Sequence, residues 1–136
     1  MKTKHRLAFL VLSILIIGLI SAHADTIQPM YTAIDEIFCS LNITSGTAYC
    51  GADITPSNSS YVSSLSATLK RSTDGKTWSS VKSWSATGTG LAGATIDESI
   101  SVSSGYQYKL FATGTIRNAN GVTIETAYKN SSIKEY

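Results

Sequence analysis

The sequence predicts an all-β fold: two antiparallel sheets packed face to face as a sandwich of about seven strands, preceded by a helical export signal. Three observations lead there. Beyond residue 24, apolar side chains recur at every second position in segment after segment, the period of a half-buried strand. Turn-forming pairs punctuate these segments, Ser45-Gly46, Asp74-Gly75 and Asn120-Gly121 among them. Each firm segment has one apolar and one Ser/Thr-rich face, which suits two sheets that cover each other.

Residues 1–24 have the three-part layout of a signal peptide. Lys2, Lys4 and Arg6 form a basic start, Leu7–Ile20 is almost unbroken apolar sequence, and Ala22-His23-Ala24 is a small-x-small cleavage site. The apolar run falls short of the ~20 residues that span a bilayer. Cleavage at Ala22 and Ala24 is therefore expected, giving a secreted, extracellular chain with no membrane attachment in its mature form. Residues 25–34 read as a loose lead-in containing Pro29, and residues 35–136 as the sandwich domain.

Removing the leader changes the electrostatics. It holds three of the eleven Lys and Arg residues, so eight remain against nine Asp and Glu, a net charge of 8 − 9 = −1 instead of +2. The remaining cations are scattered singly along the chain, which argues against a nucleic-acid partner. Both histidines, His5 and His23, lie in the leader. The mature chain therefore has no imidazole to activate a nucleophile or to bind zinc. No glycine-rich phosphate loop or Asp-rich calcium loop is present. No metal or cofactor is expected.

The first hairpin runs from Asp35–Thr44 through Ser45-Gly46 to Thr47–Thr55. A two-residue turn pairs Ile43 with Ala48, Leu41 with Cys50 and Cys39 with Ala52, which puts every apolar side chain on one face. Cys39 and Cys50 are then diagonal neighbours, ~7 Å apart at Cα, at the edge of disulfide reach. Export and a shared buried face favour a bond; geometry favours two inert thiols, unless a bulge closes the gap. Pro56–Ser60 is a turn cluster.

The central hairpin spans Ser64–Trp84. Leu65, Ala67 and Leu69 share one face of its first arm. A three-residue loop, Thr73-Asp74-Gly75, aligns Ala67 with Val81; a two-residue loop aligns Leu65 with Trp84. The first is preferred. Ala86–Gly93 is a glycine-rich connection, and Ala94–Val102 alternates except at Glu98, which marks an edge strand or a later start. In the last hairpin the alternating sets are Tyr106–Ile116 and Val122–Tyr128. Their parity selects a three-residue loop, Ala119-Asn120-Gly121, pairing Ile116 with Ile124 and Gly114 with Thr126. Gly121 takes the left-handed position.

Two resemblances bear on this reading. Ser104-Gly105-Tyr106-Gln107-Tyr108-Lys109-Leu110 resembles the late strand of fibronectin-III and immunoglobulin-like sandwiches. By that resemblance Tyr108 forms the tyrosine corner. Leu69-Lys70, Trp78–Ser85, Ser103–Tyr108 and Glu125–Tyr128 together are similar to a family of small exported proteins of Gram-positive anaerobes. That family implies a secreted sandwich and no particular activity. Ser72–Trp78 also looks like the Asp-box of sialidase propellers, but it is one residue short between Asp and Gly and occurs once. A hairpin turn accounts for it better.

Trp78 and Trp84 are the candidate ligand-binding residues. Placed on one strand six residues apart, they share a face ~20 Å long. Exposed there, they form a stacking platform for sugar rings that Tyr61, Tyr106 or Tyr128 can extend; the plainer reading has them cover the core. Sequons at Asn42, Asn58 and Asn130 follow from composition. Asp35-Glu36 and Asp97-Glu98 point to opposite faces of a strand, so neither pair forms a carboxylate dyad. The expectation is a non-enzymatic secreted module whose partner is an unknown protein or glycan at the cell surface or outside the cell. A carbohydrate-binding domain is the alternative.

Overall fold

The computed structural model describes residues 30–136; the expected signal peptide, with its cleavage at Ala22 and Ala24, lies outside the described residues. The strands are β1 (Ile34–Thr44), β2 (Thr47–Pro56), β3 (Val62–Ser72), β4 (Ser79–Thr89), β5 (Ala94–Ser101), β6 (Gln107–Arg117), β7 (Thr123–Asn130) and β8 (Lys134–Glu135). One sheet has the order β1-β2-β5 and the other β4-β3-β6-β7, with β8 also on β6. All pairings are antiparallel. This is the expected two-sheet sandwich, with the two-residue β8 as an addition.

Alternation explains the layering. Leu65, Ala67 and Leu69 on β3 and Tyr108, Leu110, Ala112 and Ile116 on β6 are buried. They face Ile37, Cys39 and Leu41 of β1 and Ala48, Cys50, Ala52 and Ile54 of β2, also buried. The centre of this core is built from small residues. Ala67 pairs with Ala112, and Leu65 pairs with Gly114. A Cβ on Gly114 would lie 2.4 Å from Cδ1 of Ile54 and 3.2 Å from Cδ1 of Ile37, both on the opposite sheet. The sheets touch through a glycine, and any side chain there would force Ile54 to move.

The first hairpin has the expected register, with Ile43 opposite Ala48, Leu41 opposite Cys50 and Cys39 opposite Ala52. Ser45 at φ 50° and Gly46 at φ 78° form its turn, both positive as a type I′ turn requires. β5 is an edge strand, and Glu98, opposite Cys50, is solvent-exposed. The Tyr108 hydroxyl donates to the Ser103 carbonyl at 2.7 Å, closing the corner before β6.

Four expectations need correction. The disulfide is not formed: Cys39 and Cys50 are buried free thiols. The diagonal register that separates them has no bulge at that point, and Cys39 Sγ instead donates to the Leu110 carbonyl at 3.5 Å. The loose lead-in is shorter than expected, since Ala33 and Ile34 belong to the core. The backbone N–H groups of Thr32, Ala33 and Ile34 donate to the Glu125 carboxylate at 3.1, 2.7 and 3.0 Å.

The central hairpin adopts neither anticipated register. Its loop is Thr73–Trp78, a bulge follows Leu69, and Ala67 lies opposite Trp84. Ser72 and Asp74 hold the loop open, as their side-chain oxygens take N–H groups that a tight turn would pair across the strands.

In the last hairpin Arg117 lies opposite Thr123, the register of the expected loop, and Gly121 has the expected positive φ of 79°. A bulge between Ile116 and Arg117 then moves the pairing by one, placing Ile116 opposite Glu125 and Gly114 opposite Ala127. A one-residue shift inverts every side chain. Ile116 is fully buried while Ile124 is 41% exposed, so the two emerge from opposite faces. The inversion turns Glu125 inward, where it captures the N–H groups that precede β1.

Where β7 ends, Ser131 completes the edge of β6. Its N–H donates to the Leu110 carbonyl and its Oγ accepts the Leu110 N–H, both at 2.9 Å. Gaps in a ladder otherwise leave buried backbone groups without partners.

Two measurements check this core. Gly114→Ala is expected to lower unfolding free energy by about 1–3 kcal/mol through overpacking, read from the midpoint of chemical denaturation. A colorimetric thiol assay is expected to find no reactive cysteine in the native protein and two after unfolding without reductant. Absence of both thiols after unfolding would show that a disulfide had formed.

Candidate binding face

Trp84 pairs with buried Ala67 and packs half-buried against the core. Trp78 sits in the Thr73–Trp78 loop, its ring edge-on to Phe111 at 6.1 Å between centroids and 68° between planes. The two indoles therefore lie on opposite sides of the five-stranded sheet and form no common platform. Tyr61 packs on the core. Tyr106 packs edge-on to Tyr108 at 6.2 Å, with the Arg71 guanidinium 4.5 Å from its ring centroid. Tyr128 is 72% exposed and pairs with Thr113 on the outer face.

Pairing brings together residues that lie far apart in sequence. On β3 the buried positions are Leu65, Ala67 and Leu69, so Ser64, Ser66, Thr68 and Lys70 point outward. On β6 the same logic turns Lys109, Phe111, Thr113, Thr115 and Arg117 outward. Lys70 and Lys109 are direct cross-strand partners on the two central strands. The Phe111 ring lies beside them, 4.8 Å from Lys70 Nζ and 5.3 Å from Lys109 Nζ. Like charges directly opposite each other destabilise a sheet. The ring partly offsets this, at about 0.5–1 kcal/mol per exposed cation–π contact.

The rest of the face is hydroxyl-rich. Thr68 and Ser83 hydroxyls are 2.8 Å apart, Thr115 and Thr126 hydroxyls 3.3 Å apart, and Arg117 Nη1 donates to Ser64 Oγ at 2.8 Å. Its bordering carboxylate, Glu135 on β8, accepts from Gln107 Nε2 at 3.1 Å. Beside this border is a recess of about 330 Å³, lined by Thr73, Gly105, Tyr106, Gln107, Glu135 and Tyr136.

Trp78 is placed by the loop before it. Asp74 Oδ1 accepts the N–H groups of Lys76 and Thr77, each at 2.8 Å, and the Ser72 hydroxyl at 2.9 Å. Ser72 Oγ in turn accepts the Gly75 N–H at 2.9 Å. Gly75 has φ 70°, and a Cβ there would lie 2.8 Å from Gln107 Oε1. The bonds from the Thr77 and Lys76 N–H groups, then from Ser72, hold the Asp74 carboxyl at about 2, below its ordinary 3.8.

The opposite outer face has the reverse charge. Glu36 on β1, Asp53 on β2 and Asp97 on β5 point outward at successive diagonal positions: Glu36 opposite Thr55, Asp53 opposite Thr95, and Asp97 opposite Gly51. Phe38, directly opposite Asp53, is 46% exposed, and Tyr49 is also exposed.

The cysteines take no part in either face. Burial pushes both thiols up from 9.0 to about 11, which leaves them protonated and weakly nucleophilic near neutrality. Among the described residues, no three His, Cys, Asp or Glu side chains converge as metal ligands. The Lys70–Phe111–Lys109 cluster, with Trp78 beside it, gathers two ammonium groups and two aromatic rings on the outer face.

Sequence reasoning missed Lys70, Lys109 and Phe111. Outward parity was readable for each, but their contact depends on pairing between β3 and β6, which have a complete hairpin arm and an edge strand between them in the chain. No protein-family model and no curated protein matches this sequence.

Acid titration tests the loop. A depressed carboxylate stabilises the folded state above its ordinary pKa, and that contribution is lost as pH falls through its folded value. Thermal midpoints are therefore expected to fall between pH ~4 and ~2, less steeply in Asp74→Asn than in the unmodified protein. Parallel curves would show that Asp74 makes no such contribution.

Proposed function

We propose that the chain is exported and acts outside the cell as a non-enzymatic binding module. Its body is an immunoglobulin-like sandwich that meets an anionic partner with the outer face of its five-stranded sheet. The strand orders β1-β2-β5 and β4-β3-β6-β7 and the Tyr108–Ser103 hydrogen bond support the kinship with fibronectin-III-type domains. The resemblance to small exported proteins and the leader-like start support export.

The observation that carries the binding reading is the Lys70–Lys109 pair across Phe111. A like-charge pair in the middle of a sheet, only partly offset by one aromatic ring, costs stability, whereas an anionic partner turns it into a favourable contact. Trp78 extends the surface with an aromatic edge. A sugar platform built on Trp78 and Trp84 together is disfavoured by their positions on opposite sides of the sheet.

Retention on immobilised dextran sulfate tests this. Without its leader the domain carries slightly negative net charge, so retention reports a local cationic surface rather than bulk charge. The protein recovered from expression of the full chain is expected to bind and to elute with salt. Lys70→Glu/Lys109→Glu is expected to flow through, with a thermal midpoint lowered by a few degrees because the two cation–π contacts to Phe111 are lost, while Lys82→Glu, on edge strand β4, stays bound. Flow-through of the unmodified protein, or equal loss in both variants, would overturn the proposal.

A further inference from the structure

We infer that the partner of the Lys70–Lys109 face is the acidic outer face of a second copy of this chain, so that copies stack head to tail. This rests on the binding-face reading above and supplies the anion.

The argument is charge complementarity between two surfaces of one molecule. Lys70, Lys109 and Arg117 point outward from the five-stranded sheet. Glu36, Asp53 and Asp97 point outward from the three-stranded sheet. The sheets of a sandwich are ~10 Å apart, so these charges cannot meet within one molecule. Each patch has an aromatic residue at its heart: Phe111 beside the lysines, and exposed Phe38 directly opposite Asp53. Stacking sets carboxylates over ammonium groups and ring against ring. The surfaces are different patches, so the contact is heterologous and leaves a free face at each end. Such a contact grows into an open stack.

Sedimentation velocity tests this on the protein recovered from expression of the full chain. At ~0.01 M ionic strength, where charges act over ~30 Å, mean size is expected to rise with concentration past that of a dimer. At ~1 M, where the range is ~3 Å, it is expected to return to the monomer. Lys70→Glu/Lys109→Glu makes both faces acidic, and Asp53→Lys/Asp97→Lys makes both basic. Each variant alone is expected to remain monomeric, and their mixture to associate. Carbodiimide cross-linking of the unmodified protein is expected to join Lys70 or Lys109 to Glu36, Asp53 or Asp97, a readout that needs no variant to fold.

A monomer at every concentration and low salt, a species that stops at two copies, or cross-links lacking these pairs would overturn the inference. If that monomer still binds dextran sulfate through Lys70 and Lys109, the binding face stands and only its partner is wrong. If it binds neither, both readings fall.

Discussion

The two sheets approach so closely at Gly114 that Ile54 and Ile37 occupy the space where a side chain would stand. Around that point the inward positions are filled by Ala48, Ala52, Ala67 and Ala112, all buried. A core this shallow tolerates little change in volume, and it holds the parity of every central strand. If β3 or β6 shifted by one residue, Lys70 or Lys109 would enter the contact between the sheets. Burial of an unpaired ammonium group is too costly for that arrangement to compete. The outward position of both lysines therefore follows from packing inside.

Polar groups complete what the apolar alternation leaves open. Glu125 receives three consecutive backbone N–H groups ahead of β1 and so joins the start of one sheet to the edge of the other. Ser131 fills the break between β7 and β8 by bonding both backbone groups of Leu110. In each case one residue satisfies main-chain groups that the ladder cannot reach. Each also explains why the outer edge of the five-stranded sheet departs from simple alternation.

Charge is segregated rather than merely present. Residues 25–136 are close to neutral by count, yet the two broad faces of the sandwich have opposite sign. A net charge is therefore a poor guide to how this surface meets its surroundings, because the local field over each face depends on which residues the pairing aligns. The Phe111 ring sharpens this: it holds two ammonium groups close together on one face of the sheet.

From the order of residues alone came the layered β architecture, the turn and register of the first hairpin, the edge position of β5 as one of two alternatives, and the left-handed glycine at Gly121. All depend on the two-residue period or on turn chemistry between near neighbours, which a linear reading captures. The last hairpin shows where that ends: the register expected at the turn is correct at Arg117 and Thr123 and changes one residue later at a bulge. That bulge serves Glu125, whose partners lie at the other end of the chain. The central loop likewise reflects side-chain oxygens competing for backbone N–H groups, and the free cysteines reflect a diagonal spacing that a nearby bulge had the power to change. The juxtaposition of Lys70 with Lys109 and the opposed signs of the two faces arose only on folding, since strand alternation states which way a side chain points and only non-local pairing decides what stands beside it.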